Sequence, residues 1–144
     1  MKRITVRFAS EEDLEFTGQD AYIPKAVVLR KIIQKEVVIA KIDGCAAGYL
    51  RLEFLWSLVP YIGLIRVSPF LRNQGVGKSL LNFICDHLFQ EGYDWLYSSA
   101  QADEVEPQAW HRHMGFVECG IIEGINDGGV SEVFFRILTS PSGD

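Results

Sequence analysis

Apolar and polar residues alternate at the start of the chain, and this pattern predicts a half-buried β-strand. Ile4, Val6 and Phe8 are separated by Thr5 and Arg7, and successive side chains of a strand face opposite sides of a sheet. Apolar runs bounded by turn residues predict six more strands, at 37–42, 46–55, 61–67, 95–100, 116–122 and 130–138. Asp-Gly at 43–44 and Asn-Asp-Gly-Gly at 126–129 supply turns for two antiparallel hairpins.

Between these strands, apolar residues recur every three to four positions, which predicts helices. The predicted helices are a short one capped by residues 10–13, a second over 24–34, a long one over 76–90 and a short one over 107–114. Gly92 and Gly115 follow the last two helices, where glycine commonly ends a helix. The predicted order is therefore β-α-α-β-β-β-α-β-α-β-β, a chain of the α/β (α+β) class.

Length and composition predict one domain over residues 1–144 with a substantial core. The chain has 144 residues, of which 48% are hydrophobic, and that is enough to exclude global disorder. Residues 139–144 carry no strand pattern, and we expect them to be a frayed tail.

Charge and hydropathy argue against two classes of partner. The formal net charge is −5 and the isoelectric point is about 5.2, which disfavours binding to nucleic acid or to an anionic membrane surface. No apolar run approaches the roughly 20 residues of a membrane-spanning helix. The first residues predict a strand and not a signal peptide. Three widely spaced cysteines predict reduced, mostly buried thiols in a cytoplasmic protein.

Residues 72–79, Arg-Asn-Gln-Gly-Val-Gly-Lys-Ser, lie between a predicted strand and a predicted helix. Glycines at such a turn let backbone N–H groups approach a ligand, and a helix N-terminus adds unpaired donors and a positive dipole end. The segment therefore predicts an anion site for phosphate or pyrophosphate. Arg72 stands where a nucleoside-triphosphate loop requires glycine, and Leu80 stands where a dinucleotide loop requires its third glycine.

A third phosphate-loop pattern, Arg/Gln-x-x-Gly-x-Gly/Ala, is matched in full by Arg72, Gly75 and Gly77. It is the coenzyme A loop of the GNAT superfamily of acyl-CoA N-acyltransferases, which this chain resembles. The predicted element order is also that of the family, and Trp110, Gly115 and Phe116 resemble its late-helix signature, Phe-Tyr-Glu-Lys-x-Gly-Phe. The resemblance implies a mixed, mostly antiparallel central sheet with helices on both faces.

The resemblance also implies how acetyl-CoA is held. Backbone groups of Ile65 and Val67 would pair with the pantetheine arm as an added strand, and the N–H of Val67 would face the thioester oxygen. Arg72 would hold the loop. The backbone amides that would bind the pyrophosphate are those of Gln74, Gly75, Val76, Gly77, Lys78 and Ser79. The side chain of Lys78 is as well explained as a solvated helix residue.

The resemblance also implies candidate catalytic residues, and each of them has an alternative explanation. His111 occupies the position where the family often has the tyrosine that protonates the leaving thiolate, but it is shorter and is also explained as a pocket-lining or helix-capping residue. The fourth predicted strand lacks the family's frequent carboxylate, and Glu53 on the neighbouring strand is the best substitute as a base. The alternatives for Glu53 are a cross-strand ion pair with Arg66 or a surface position beside Arg51. Tyr61 is a candidate for contacting the acceptor, or an ordinary strand aromatic.

These observations predict an N-acetyltransferase that moves an acetyl group from acetyl-CoA to a primary amine of a small molecule or peptide, by direct attack in a ternary complex and without a metal. An alternative is a non-catalytic acyl-CoA-binding or regulatory domain of the same fold, and a third is a phosphate-binding protein with a different ligand. The C-terminal hairpin is a candidate homodimer edge through Val133, Phe134, Phe135 and Ile137.

Overall fold

The computed structural model describes residues 2–140, and within that range the chain forms seven strands and four α-helices in the predicted order. The strands are β1 (Ile4–Phe8), β2 (Val37–Ile42), β3 (Cys45–Leu55), β4 (Val59–Val67), β5 (Trp95–Gln101), β6 (Val117–Ile122) and β7 (Glu132–Leu138). The helices are α1 (Leu14–Thr17), α2 (Lys25–Ile33), α3 (Val76–Gln90) and α4 (Val105–His113). Single 3-10 turns lie at Glu11–Asp13, Pro69–Leu71 and Asp127–Gly129.

The strands form one sheet in the order β1-β2-β3-β4-β5-β7-β6. Only β4 and β5, among the strands of the described range, run parallel, and every other neighbouring pair is antiparallel. The predicted mixed, mostly antiparallel sheet is therefore confirmed. β4 begins two residues earlier than predicted, because Val59 and Pro60 already pair with the end of β3.

Helices cover both faces of the sheet, as the resemblance implied. On one face, Leu80 and Ile84 of α3 are fully buried against the central strands, and α4 lies beside them. On the other face, Val28 and Ile32 of α2 pack against β2. Each fully buried side chain of this size stabilises the fold by about 1.5–3 kcal/mol. Burial on two faces explains why β2 is a continuous apolar run, whose residues 37–40 are all buried.

β7 is an interior strand of the sheet. The expectation that its residues form an edge available to a second subunit is therefore wrong. Val133 and Phe135 are 5% and 0% exposed and belong to the core, because β7 lies between β5 and β6. The edge strand of this hairpin is β6, where Val117, Ile121 and Ile122 are solvent-exposed. The homodimer itself stays a prediction.

The predicted fraying from residue 139 is wrong at its first residue. Thr139 is buried, its N–H donates to the carbonyl of Asp94 at 2.9 Å, and its hydroxyl donates to the carbonyl of Tyr93 at 2.6 Å. These bonds extend the contacts of β7 past its last residue. Residues 141–144 lie outside the described range.

Two of the three cysteines are exposed, contrary to the expectation of mostly buried thiols. Cys45 and Cys119 reach solvent, whereas Cys85 is buried, and burial raises its pKa to about 12. None of the helices formed by residues 2–140 is both long enough and apolar enough to cross a membrane.

Candidate active site

β4 and β5 face each other at one pair of residues only, and the space between the two strands beyond that pair is called the cleft. Tyr61 and Tyr97 are the single pair of facing residues between these two fully described strands. Beyond Tyr61, β4 keeps its pairing with β3 up to Val67 but has no strand on its other side. Gly63 is the extra residue of a β-bulge, since Arg51 faces Leu64 while the next residue of β3 faces Ile62.

The separation leaves one edge of β4 free for a ligand. The N–H of Ser68 donates to the carbonyl of Ala47 on β3 at 2.8 Å. Because backbone groups of successive residues alternate in direction, Val67 and Ile65 then point their N–H and C=O groups away from β3, into the cleft. The two residues that the resemblance implied for the pantetheine arm thus face the open side of the strand.

The loop after β4 ends at the N-terminus of α3, and Gly75 is the residue that makes this turn. Gly75 adopts φ +88° and ψ 7°, a left-handed conformation that a side chain disfavours. The N–H of Ser79 donates to the carbonyl of Gly75 at 3.0 Å, closing the first turn of the helix. The helix therefore leaves the N–H groups of residues 75–78 without intrahelical acceptors.

This geometry corrects one predicted pyrophosphate ligand. The amide of Ser79 is already engaged inside the helix, because α3 begins at Val76, as predicted, and Ser79 is the first residue whose N–H finds an intrahelical acceptor. The amides of Gly75, Val76, Gly77 and Lys78 remain as donors, and the buried side chain of Val76 fixes them to the core. The role of the Gln74 amide, which precedes the helix, stays a prediction.

The side chains around the loop that precedes α3 are cationic or accept a hydrogen bond from a cation. Arg72 donates from Nε to the carbonyl of Val67 at 3.3 Å, as expected of a residue that holds the loop. The side chain of Gln74 accepts from Nζ of Lys2 at 2.7 Å. Lys78 is exposed at the third position of α3. The positive charge of these groups adds to that of the helix dipole.

Gly77 has a packing role that its place in the motif did not suggest. A Cβ atom at Gly77 would lie 3.3 Å from Nε1 of Trp110, which is tighter than ordinary van der Waals contact. The glycine therefore lets α4 approach the first turn of α3.

Glu53 and Tyr61 lie side by side on the face of the sheet that α1 and α2 cover. They face each other across β3 and β4. Glu53 accepts from Nζ of Lys31 on α2 at 2.9 Å, and its other oxygen lies 4.0 Å from Nε of Arg51. The expected alternative partner, Arg66, is replaced by these two cations. Glu53 remains 41% exposed, so one side of its carboxylate faces solvent.

Tyr61 joins a chain of hydrogen bonds across three strands. Its hydroxyl lies 2.5 Å from Oγ of Ser99 on β5 and its ring stacks on Phe134 of β7. Ser99 donates to Oε2 of Glu132 on β7 at 2.6 Å, and Oε1 of Glu132 accepts from the amide of Asn126 at 2.8 Å. Burial raises the pKa of Tyr61, and the negative charges of Glu132 and Glu53 raise it further.

His111 lies on the opposite face, 4% exposed, with both ring nitrogens bonded. Nδ1 lies 2.6 Å from the carbonyl of Pro107, and Nε2 lies 2.7 Å from Oγ of Ser98. A carbonyl only accepts, so Nδ1 carries the proton and Nε2 accepts from the serine. Burial lowers the pKa of His111, which favours the neutral ring. In this tautomer the ring has no free proton for a thiolate, and the geometry argues against the predicted acid role.

The burial of His111 predicts a pH-dependent stability. The unfolded state, with an ordinary histidine pKa of 6.5, binds a proton before the folded state does. The free energy of unfolding should therefore fall as pH drops below about 6.5, by at most about 1.4 kcal/mol per pH unit from this group. We expect a shallower slope in His111→Phe, measured by urea unfolding between about pH 7.5 and pH 5.5. Equal slopes in the two proteins would contradict this role.

Sequence reasoning missed Ser98, Ser99, Glu132, Lys31 and the Asp20–Arg51 pair. The one available signal was the two consecutive serines in the middle of a strand that begins with Trp95, Leu96 and Tyr97. Since their side chains point to opposite faces, Ser98 contacts His111 and Ser99 contacts Tyr61. A cluster of three or more residues suited to binding a metal is absent from the part of the chain that the structure describes.

Comparison with known proteins agrees with this architecture. Residues 7–116 match the model of the acetyltransferase (GNAT) family. Streptothricin acetyltransferase of Streptomyces lavendulae is 30% identical over 93 residues, which are 62% of this chain and 48% of that protein. The chain thus spans about half the length of this curated relative.

Solved structures are similar over nearly the whole chain. A GNAT-family acetyltransferase from Bacillus cereus ATCC 10987 has a TM-score of 0.77 and 26% identity, over 96% of this chain and 97% of that one. The structure of yncA from Salmonella typhimurium with its cofactor acetyl-CoA has a TM-score of 0.77 and 14% identity, over 96% and 95% of the two chains. At this identity the second likeness concerns the fold alone.

Proposed function

Since the chain belongs to the acetyltransferase (GNAT) family, we propose that it moves an acetyl group from acetyl-CoA to a primary amine of a small molecule, by direct attack in a ternary complex. The observation that carries this proposal is the separation of β4 from β5 after Tyr61. It leaves a free strand edge that leads toward the unpaired amides at the start of α3, and an acyl-CoA has an amide-bearing arm and a pyrophosphate in the same order.

The residues of the cleft fit the coenzyme. Four backbone donors at Gly75–Lys78 and the positive end of α3 suit a pyrophosphate, and Gly75 keeps their approach free of a side chain. Ile65 and Val67 would pair with the pantetheine arm. Bound acetyl-CoA supplies the thioester, whose C–S bond breaks as the amine lone pair forms the new C–N bond.

The part of the cleft around Tyr61 suits a cationic acetyl acceptor. Glu53 and Glu132 lie on either side of Tyr61, and both charges act on its phenol. An amine with a pKa near 10 arrives protonated at neutral pH, so negative charge at this point draws it in. The similarity to streptothricin acetyltransferase supports a small-molecule amine as the acceptor. In this proposal Tyr61 contacts the acceptor, and the carboxylates beside it attract the ammonium.

Calorimetric titration with acetyl-CoA, followed by an assay of CoA release with several amines, tests the proposal. The panel contains streptothricin, L-lysine, putrescine and a peptide with a free N-terminus. We expect binding, and turnover with at least one of the three small amines. Binding without turnover on the whole panel would favour the non-catalytic acyl-CoA-binding alternative. Failure to bind acetyl-CoA, with binding of a nucleotide instead, would favour a different phosphate ligand.

A further inference from the structure

The hydrogen-bond chain through Tyr61, Ser99 and Glu132 has a defined direction. A carboxylate accepts hydrogen bonds, so the single hydroxyl proton of Ser99 points to Glu132. The oxygen of Ser99 must then accept from the hydroxyl of Tyr61, at 2.5 Å. Because the phenolic proton is committed to Ser99, the lone pairs of Tyr61 are what a ligand in the cleft meets. The hydroxyl oxygen of Tyr61 is therefore a hydrogen-bond acceptor toward the cleft, and it favours a ligand that donates a hydrogen bond, such as an amine.

The three hydrogen-bonded residues lie along a line that leads away from the cleft. Tyr61 is the last residue of β4 that β5 faces, so its side chain lies where the cleft opens. Ser99 is two residues further along the diverging part of β5, and Glu132 is half-buried at the start of β7 beside the loop that carries Asn126. The chain thus runs from the cleft to a carboxylate near the end of the sheet.

Two carboxylates act on Tyr61, and they differ in their partners: Glu53 is bonded to a cation, whereas the hydrogen bonds described for Glu132 come from neutral groups. Glu53 also faces Tyr61, but Lys31 of α2 binds it at 2.9 Å and Arg51 lies 4.0 Å away. On the opposite face of the sheet, His111 of α4 lies close enough to Glu132 for the negative charge of Glu132 to raise the pKa of His111. Within the described residues, the hydrogen bonds to Glu132 come from Ser99 and Asn126, which are both neutral.

We propose that Tyr61, Ser99 and Glu132 form a proton relay that takes a proton from the acceptor ammonium and delivers it to Glu132. Tyr61 is the catalytic residue because it contacts the amine, and Ser99 and Glu132 are positioning residues that act through it. This inference rests on the proposed acetyl transfer and names the path of its proton.

The proposed transfer of one proton from the ammonium to Glu132 needs no further reagent. The ammonium gives one proton to the oxygen of Tyr61, whose own proton passes to Oγ of Ser99, whose own proton passes to Oε2 of Glu132. The products are a neutral amine and a protonated Glu132, and the serine and the tyrosine are unchanged. The amine then has the free lone pair that attack on the thioester requires.

The kinetic test is Glu132→Gln, which keeps an oxygen for Ser99 to bond but removes the proton acceptor. With the best amine of the panel, we expect kcat at pH 7 to fall about a hundredfold, a larger factor than the rise in KM that follows from losing one of the two carboxylate charges. The deficit should shrink as pH approaches 10, where the amine is already neutral in solution. A merely structural role would lower kcat by the same factor at every pH, and that result would overturn the relay.

Three further variants complete the test. Tyr61→Phe should show the same alkaline recovery, and combining it with Glu132→Gln should add little, because the groups act as a unit. Glu118→Gln, on the adjacent strand in an exposed pair with Arg112, is the matched control and should leave kcat unchanged. Alkaline recovery in Glu53→Gln and not in Glu132→Gln would assign the base to Glu53 and refute the proposal.

A measurement without any substrate tests the relay independently. In protein labelled with ¹³C at the tyrosine ring, Tyr61 is assigned by comparison with Tyr61→Phe and titrated by NMR. Removing the negative charge of Glu132 should lower the pKa of Tyr61, whereas Glu118→Gln should leave it unchanged. An unchanged titration in Glu132→Gln would overturn the relay. If the unmodified enzyme acetylated none of the amines, the proposed function would fail, and the relay would fall with it.

Discussion

Replacing Gly75 with glutamate is expected to abolish acetyl-CoA binding. The N–H groups of residues 75–78 point to the place where the pyrophosphate is proposed to lie, and Gly75 is the first of these four residues. A carboxylate about 5 Å from one phosphate charge costs about 3 kcal/mol at an effective dielectric constant of about 20, which is a hundredfold or more in Kd. Calorimetric titration with acetyl-CoA measures this loss.

Gly75→Gln is the matched control for that substitution. It has the bulk of glutamate and the same backbone strain at φ +88°, about 1–2 kcal/mol, but no charge. We therefore expect the Gln variant to bind more weakly than the unmodified protein and clearly better than the Glu variant. If the Glu variant bound acetyl-CoA as tightly as the unmodified protein, the assignment of this loop would be wrong.

Asp20→Ala is expected to destabilise the fold by about 3–5 kcal/mol. Asp20 and Arg51 form a bidentate pair at 2.9 and 3.3 Å, with side chains that are 1% and 5% exposed. Burial by itself raises the pKa of Asp20, but the bonds and charge of Arg51 outweigh it and lower the pKa. Removal of the carboxylate leaves a buried guanidinium whose Nε already has no hydrogen-bond partner among the described residues. The loss is measured by urea unfolding at pH 7.

A double-mutant cycle separates the buried charge from the lost contacts. Asp20→Ala combined with Arg51→Met removes both charges, and we expect it to recover most of the stability that Asp20→Ala loses. Glu15→Ala removes half of an exposed pair with Lys25 and should cost less than about 1 kcal/mol. A double variant as unstable as Asp20→Ala alone would show that packing of the loop, and not the buried charge, dominates.

The pair also explains how the acceptor side of the cleft is built. Asp20 lies in the connection between α1 and α2, and Arg51 lies on β3 two residues before Glu53. The bidentate bond therefore fastens the covering loop to the strand that carries one of the carboxylates beside Tyr61. Neither residue was singled out by the sequence, because a charged residue in a strand and an aspartate in a loop are ordinarily solvated.

Local patterns predicted the elements well because their causes are local. The period of apolar residues decides between helix and strand within about ten residues, and turn residues such as those at 43–44 mark the ends. The glycine loop was predicted for the same reason, since Gly75 and the helix that follows it are neighbours in sequence. The amide of Ser79 is the exception, because a helix that begins at Val76 engages this N–H in its first turn.

The sequence by itself therefore determined the order of strands and helices, the family resemblance and the position of the anion-binding turn. Only the tertiary structure decided which side chains meet. Tyr61 and Ser99 are 38 positions apart, and Ser99 and Glu132 are 33 apart, and they touch because the sheet places β5 between β4 and β7. The same arrangement places Oγ of Ser98 against Nε2 of His111, and these two residues are 13 positions apart in the sequence. Alternation along a strand fixes the face of a side chain, but strand order and register fix its neighbour.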